Sequence, residues 1–171
     1  MTITTRRGMI GAMAASGAAL AATRLDAAPN VLDFGNMKKD TDVACLYHCD
    51  FGDPRRFGQM LRNINNHLSV YEFDTLRLKL VIVAHGAGVK FFMKDRAGTP
   101  WEKDTINPDL YKRFVELAKF GVEAYLCQIT FQRQKIDLAK AHEAPYIKVV
   151  PSGLATVAEL QAKGFAYLKV G

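Results

Sequence analysis

The segment Leu78-Lys79-Leu80-Val81-Ile82-Val83-Ala84 constrains the fold more than any other. Its apolar character is almost unbroken, and His85-Gly86-Ala87-Gly88 ends it abruptly. A strand with one wet face alternates polar and apolar residues, whereas an unbroken run belongs to a strand covered on both faces. Parallel sheets supply that cover, because each crossover lays a helix against the sheet.

The flanking segments have the patterns such crossovers need. Val43 to His48 is a short apolar run, and Asp50-Phe51-Gly52-Asp53-Pro54 after it is turn chemistry. From Arg55 to Leu68, apolar Phe57, Leu61, Ile64 and Leu68 recur at helical spacing, with Asp53 as N-cap and Pro54 at the first helical position. Val89 to Met93 reads as a short helix, and residues 94–106 as a loop containing Trp101. Asn107-Pro108 opens a helix that runs to Phe120 and places Leu110, Phe114, Leu117 and Ala118 on one face. Gly121 ends it at the C′ position. Val122 to Leu126 reads as the third strand, with Cys127 at its C-terminal end.

Residues 128–144 are mostly polar, with helical turns, and Ile147 to Val150 is the fourth strand. Pro151-Ser152-Gly153 leads into a helix carrying Leu154, Val157, Ala158 and Leu160. Gly164 stops that helix, and Phe165 to Lys169 is the fifth strand. The alternation predicts a single-domain α/β three-layer sandwich of about five mostly parallel strands with right-handed crossovers. The domain is expected over residues 43–171, preceded by a polar, irregular lead-in at 29–42.

Residues 1–28 follow a different logic. Arg6-Arg7 opens the chain, an uncharged Ala/Gly-rich stretch follows over 10–22, and Arg24 precedes Leu25-Asp26-Ala27-Ala28. A basic start, a short apolar centre and a small-residue end define an export signal. The twin arginine and modest hydrophobicity favour the Tat route, which carries folded proteins. An ordinary Sec signal and an uncut anchor are the alternatives. Cleavage is expected after Ala28, with Ala22 and Ala27 as other positions, leaving a periplasmic protein without a membrane segment.

Composition removes several classes. Apolar residues make up 49% and charged residues 23%, so there is enough surface to bury for a folded domain. No apolar run is long enough for a polytopic membrane protein. The net charge of +6 is dispersed, with Arg55-Arg56 and Lys38-Lys39 only as pairs, and no nucleic-acid motif accompanies it.

In open parallel sheets, ligands bind beyond the C-terminal ends of the strands. Three chemically capable places fall there: His48 with Cys49, His85, and Cys127. A cysteine at a helix start or near cations is held as the reactive thiolate, although buried structural thiols are equally common. Gly86, Gly88 and Lys90 after His85 form a candidate anion-binding turn, since glycines expose backbone N–H groups. The glycine spacing matches neither a dinucleotide fingerprint nor a phosphate loop. Histidine is the side chain suited to trading protons with a thiol near neutral pH, the role open to His85 beside that of a buried, hydrogen-bonded residue. His48, Cys49, Asp50, Asp53 and His67 are metal-ligand types, but none has a recognised zinc spacing, and no metal or cofactor is expected.

Cys45, Cys49 and Cys127 are odd in number, so at least one thiol has no internal partner. Four residues of strand separate Cys45 from Cys49 by roughly 13 Å. That exceeds the ~7 Å Cα limit for a disulfide unless the strand ends earlier.

Together these residues resemble the DsrE/DsrF-like family. The resemblance rests on Leu80 to Phe92 with His85-Gly86, on Gly121-Val122-Glu123-Ala124-Tyr125-Leu126-Cys127, and on Val150-Pro151-Ser152-Gly153 with Glu159-Leu160-Gln161, Gly164 and Tyr167. It covers roughly residues 42–170. It implies a flavodoxin-related α/β fold and assembly as a homotrimer or homohexamer. In the sulfur-relay members a cysteine matched here by Cys127 carries sulfane sulfur as a persulfide, received from a donor protein and handed to an acceptor. His85 matches a family position near that site. The expected function is therefore sulfur carriage on Cys127, with His85 and the Gly86–Lys90 turn supporting the thiolate or an anionic donor. The rival expectation is a non-catalytic oligomeric module that binds a small molecule or anion.

Overall fold

The computed structural model describes residues 31–171, so the expected signal peptide and its cleavage site lie outside the described residues. Five strands form one sheet: β1 (Val43–Cys49), β2 (Leu78–Ala84), β3 (Glu123–Cys127), β4 (Ile147–Val150) and β5 (Ala166–Lys169). Their order is β4-β3-β2-β1-β5, and every neighbouring pair is parallel. Four helices connect them: α1 (Pro54–Val70), α2 (Asp109–Ala118), α3 (Gln128–Gln134) and α4 (Gly153–Ala162). A 3-10 turn, Gly86–Phe92, follows β2.

The predicted α/β sandwich is the fold found. On one face, α1, α2 and α3 cover Cys45, Tyr47, Leu80, Ile82, Ala124 and Leu126 with Phe57, Leu61, Phe114 and Phe131. On the other, Val157 and Leu160 of α4 cover Ala44, Leu46, Val81, Val83, Tyr125 and Val150. β2 is central, and all but Lys79 of its residues are buried, which is why it reads as an unbroken apolar run.

Local chemistry sets the element ends. Asp53 accepts a hydrogen bond from the Arg55 N–H at 2.8 Å, capping α1, and Pro54 occupies the first turn. Gly121 takes φ +78°, the left-handed conformation that lets the chain turn after α2 into β3. The Gly86–Phe92 turn buries its second half among the α1 and α2 side chains. Phe92 meets Phe57 and Phe114 edge-on at 5.6 and 5.1 Å, and Phe57 stacks on Phe91 at 4.2 Å. Such aromatic pairs add about 0.5–1.5 kcal/mol each beyond burial.

The described part of the lead-in carries a short 3-10 turn, Phe34–Asn36, and its apolar residues belong to the core. Met37 is 1% exposed, Leu32 and Phe34 pack beside it, and Leu32 N–H donates to the Val149 carbonyl at 2.7 Å. A single helix, α4, covers only part of a five-stranded face, and these residues cover more of it. The third strand also differs from expectation, extending through Cys127, which is both the last residue of β3 and the N-cap residue of α3. β1 runs through Cys49, and Cys45, Cys49 and Cys127 are all free thiols.

Gly88 is fixed by packing. A Cβ there would lie 2.0 Å from the Cys49 carbonyl oxygen and 2.8 Å from its carbon, both backbone atoms that have nowhere to go. Gly88→Ala is expected to cost more than the ~1–3 kcal/mol usual for overpacking. A drop in the denaturant midpoint with unchanged slope would show this; a midpoint equal to that of the natural protein would refute the contact.

Candidate functional site

Side-chain parity decides what gathers at the strand ends. Successive strand residues point to opposite faces. His48 follows Ala44 and Leu46 onto the α4 face, whereas Cys49 follows Cys45 and Tyr47 toward α1. His85 continues the parity of Val81 and Val83, and Cys127 that of Tyr125, again toward α4. Register completes the arrangement. Cys49 pairs with Ala84 and Ala84 with Leu126, so His85 and Cys127 are the next residues along the neighbouring strands β2 and β3.

α4 closes over them. A Cβ on Gly153, the first residue of α4, would lie 2.7 Å from His85 Cβ and 3.1 Å from Cys127 Cβ. The absence of a side chain at Gly153 thus lets the start of α4 rest on both residues. Cys127 also sits where the chain connections part. β3 hands over to α3 on one face, while its neighbour β4 hands over to α4 on the other. That divergence is the topological switch point at which α/β sheets bind ligands.

Beside the thiol lies an array of polar groups. His48 Nε2 and His85 Nε2 are 2.7 Å apart, and His48 Nδ1 is 2.8 Å from the Tyr167 hydroxyl on β5. Burial holds the His48 pKa below the usual imidazole value, opposed by Asp50 and reinforced by His85, Lys169 and Arg56. The Arg56 guanidinium stacks over Phe51 at 4.0 Å and donates from Nε to the Val170 carbonyl at 2.8 Å, tying the end of β5 to the start of α1.

A DsrE/DsrF-like family model matches residues 46–170, nearly the whole sheet. The chain belongs to the DsrE/DsrF-like family. Among solved structures it is similar to a protein of unknown function from Methanobacterium thermoautotrophicum, at 22% identity with a TM-score of 0.59. That match covers 75% of this chain and 99% of the other. At this identity the likeness shows a shared fold. No curated protein matches the sequence. Membership of the family suggests a role in sulfur metabolism and assigns no residue.

In this DsrE/DsrF-like protein, the structure brings together Cys127, His85 and Gly86, and separates them from the rest of the expected anion site. Gly86, at φ +54°, donates its N–H to Thr130 Oγ1 at 2.9 Å. Gly88 donates its N–H to the His85 carbonyl at 3.1 Å. Both donors are therefore engaged within the fold. Lys90 is 7% exposed, and its ammonium pairs with Asp104 and lies against Gly52. The residue expected to attract an anion instead anchors the 94–106 loop, because a buried ammonium requires a carboxylate.

The other candidates are placed elsewhere. Cys45 and Cys49 lie in the apolar core under α1, where burial pushes both thiols up and suppresses the thiolate. His67 bonds the Tyr47 hydroxyl at 3.2 Å. Among the described residues, no group of three or more His, Cys, Asp or Glu is placed to hold a metal. A cleft of about 870 Å³ lies between β4 and the Asp137–Pro145 segment, where it reaches Leu126 and His142. Its lining includes neither Cys127 nor His85.

The sequence places His48 at a strand end without linking it to His85, and it marks neither Tyr167 nor Gly153 as a site residue. The parity of β1 and β2 carries the signal for the histidine pair. The Tyr167 contact depends on β5 returning to the far side of β1, which no local pattern specifies.

Two predictions follow from this packing. Gly153→Ala drives a methyl group into His85 and Cys127 and should cost about 1–3 kcal/mol; equal melting temperatures for the two proteins would contradict the close approach. His48, His67 and His142 all have pKa values lowered chiefly by burial, so the folded state prefers them neutral. The unfolded chain then takes up protons first on acidification. Stability is full above the unfolded histidine pKa of 6.5 and falls as pH drops through and below it. Melting temperature should decline between about pH 7.5 and about pH 5. Replacing the three histidines by glutamine should flatten that slope; an unchanged slope in the triple variant would show that other groups cause it.

Proposed function

We propose that this protein is an exported carrier of sulfane sulfur, held as a persulfide on Cys127. The observation that carries this reading is the placement of Cys127 at the switch point, beside His85, on the sheet face opposite the two suppressed thiols. Family membership supplies the chemical area, and the twin-arginine pattern of the first residues supplies the export. The carrier works as a homotrimer or homohexamer and receives from and delivers to other proteins or small sulfur compounds.

The reaction is a displacement at sulfur. The Cys127 thiol gives its proton to His85, and the thiolate attacks the sulfane sulfur of a donor such as thiosulfate. A bond forms between Cys127 Sγ and that sulfur as the donor's own S–S bond breaks. Sulfite leaves with the electron pair of the broken bond. The product is a cysteine persulfide, a reversible state of the thiol that an acceptor thiolate discharges by the same displacement.

A second reading is favoured by one observation. Cys127 is only 5% exposed, as a packed structural thiol would be. In that reading the chain is a non-catalytic oligomeric module that binds a small molecule or anion at the strand ends.

Intact-mass measurement before and after exposure to polysulfide or thiosulfate separates the two. Carriage predicts a gain of about 32 Da per sulfur, removed by reductant and absent from Cys127→Ser. A folded, reduced protein that gains no mass would leave the binding module as the reading to pursue.

A further inference from the structure

We propose that His48 and Tyr167 extend His85 into a proton path that leads from Cys127 to the surface, with His48 as the residue that positions and empties His85. The inference rests on the reading of Cys127 as a nucleophile and assigns two residues to which neither the family match nor the sequence motifs give a role.

The path is drawn by geometry. Cys127 is nearly sealed at 5% exposure, whereas the Tyr167 side of the array is open, with that residue 39% exposed. Between them stand two imidazoles, His85 and His48, with Nε2 atoms 2.7 Å apart, and then the phenol oxygen 2.8 Å from His48 Nδ1. Three elements contribute: the turn after β2, the end of β1, and the edge strand β5.

The spacing limits the protonation states. Two Nε2 atoms this close hold one hydrogen between them, since two facing N–H groups would repel. The pair therefore accepts one net proton and resists a second. Asp50, Lys169 and Arg56 are the other charged groups that bear on His48. The two cations favour its neutral form, and Asp50 opposes them.

Proton balance gives the direction of transfer. In the receptive state His48 donates from Nδ1–H to the Tyr167 oxygen and accepts at Nε2 from His85 Nε2–H. His85 Nδ1 then carries a free lone pair. His85 is the cross-strand neighbour of Cys127, and when the thiol ionises its proton passes through one water to His85 Nδ1, since the two side chains make no direct hydrogen bond in the resting structure. The Nε2 hydrogen of His85 passes to His48 Nε2, the Nδ1 hydrogen of His48 passes to the Tyr167 oxygen, and the original phenol hydrogen leaves to water. One proton enters at His85 and one leaves at Tyr167. Both histidines remain neutral, and the thiolate is left ready for attack. Rotation of the phenol O–H and return of a proton when the thiol is regenerated reset the array.

The test is Cys127 alkylation by iodoacetamide, followed across pH by peptide mass mapping on the folded protein, in the natural sequence and in His85→Gln, His48→Gln and Tyr167→Phe. Circular dichroism and melting temperature establish that each variant is folded. The natural protein supplies the reference inflection. His85→Gln and His48→Gln should both move that inflection upward by about one unit, a roughly tenfold loss of rate near neutral pH. Tyr167→Phe should move it the same way by less.

A shift in His85→Gln alone, with His48→Gln and Tyr167→Phe like the natural protein, would overturn the path. So would a uniform loss of rate at every pH, which marks a structural role, or a natural protein whose folded Cys127 does not react. Thiosulfate loading, read as the gain of about 32 Da, is scored separately. Shifted alkylation profiles without a sulfur adduct would sustain the proton path and remove the sulfur reading.

Discussion

The structure depends on the period of two in a central strand that is covered on both faces. β2 has no wet side, so its two rows of side chains face different helical layers. β1 and β3, in parallel register beside it, inherit the same division. A shift of one residue in any of the three would exchange the whole row with its opposite. That would bury His48 and His85 under α1 and turn Cys45 and Cys49 toward α4. The core penalty against such a slip, with Leu46, Val81, Val83, Leu80 and Ile82 all at 1% exposure or less, is what fixes the chemistry at the strand ends. Burying each such side chain is worth about 1.5–3 kcal/mol.

The same division explains why three cysteines in one small domain have different surroundings. Cys45 and Cys49 sit among Phe57, Leu61 and Phe92, where burial outweighs the relief that Lys39 gives one thiolate and that Arg56 and the Phe51 backbone give the other. Cys127 ends its strand where backbone gives way to helix and lies against His85 and the start of α4. Lys90, read from the sequence as part of that setting, belongs to the other layer. The 3-10 turn carries it across with Val89, Phe91 and Phe92, and the core packing of those residues determines where its ammonium points.

The succession and type of the strands along the chain were legible because each has a strong local signature, and so were the helix starts, at Asp53 from capping chemistry and after Pro151-Ser152-Gly153 from the turn residues. Cys127 and His85 were legible as strand ends. Three features had no local signature. The packing role of Leu32, Phe34 and Met37 follows from how much of one face α4 leaves uncovered, a property of the assembled layers. Gly153 reads as a helix start, and only the tertiary approach to His85 and Cys127 makes its lack of a side chain necessary. The joining of Tyr167 to His48 requires knowing that β5 crosses back to pair with β1, because a fifth strand added beyond β4 would fit the same sequence pattern.

That return of the last strand also sets the order in which the molecule is completed. β1 to β4 are laid down one beside the next, each closing a crossover of moderate length. β5 closes the longest loop of the sheet, and its tyrosine meets a histidine 119 residues earlier in the chain. Contacts between such distant residues are the slowest to form, because loop entropy must be lost before they repay it. A chain still emerging from the ribosome has Cys127 and His85 in hand but lacks both α4 and Tyr167. Its thiol therefore stays outside the finished environment until α4 and β5 have been made and the edge strand has docked, so assembly of the site reports that the domain is whole.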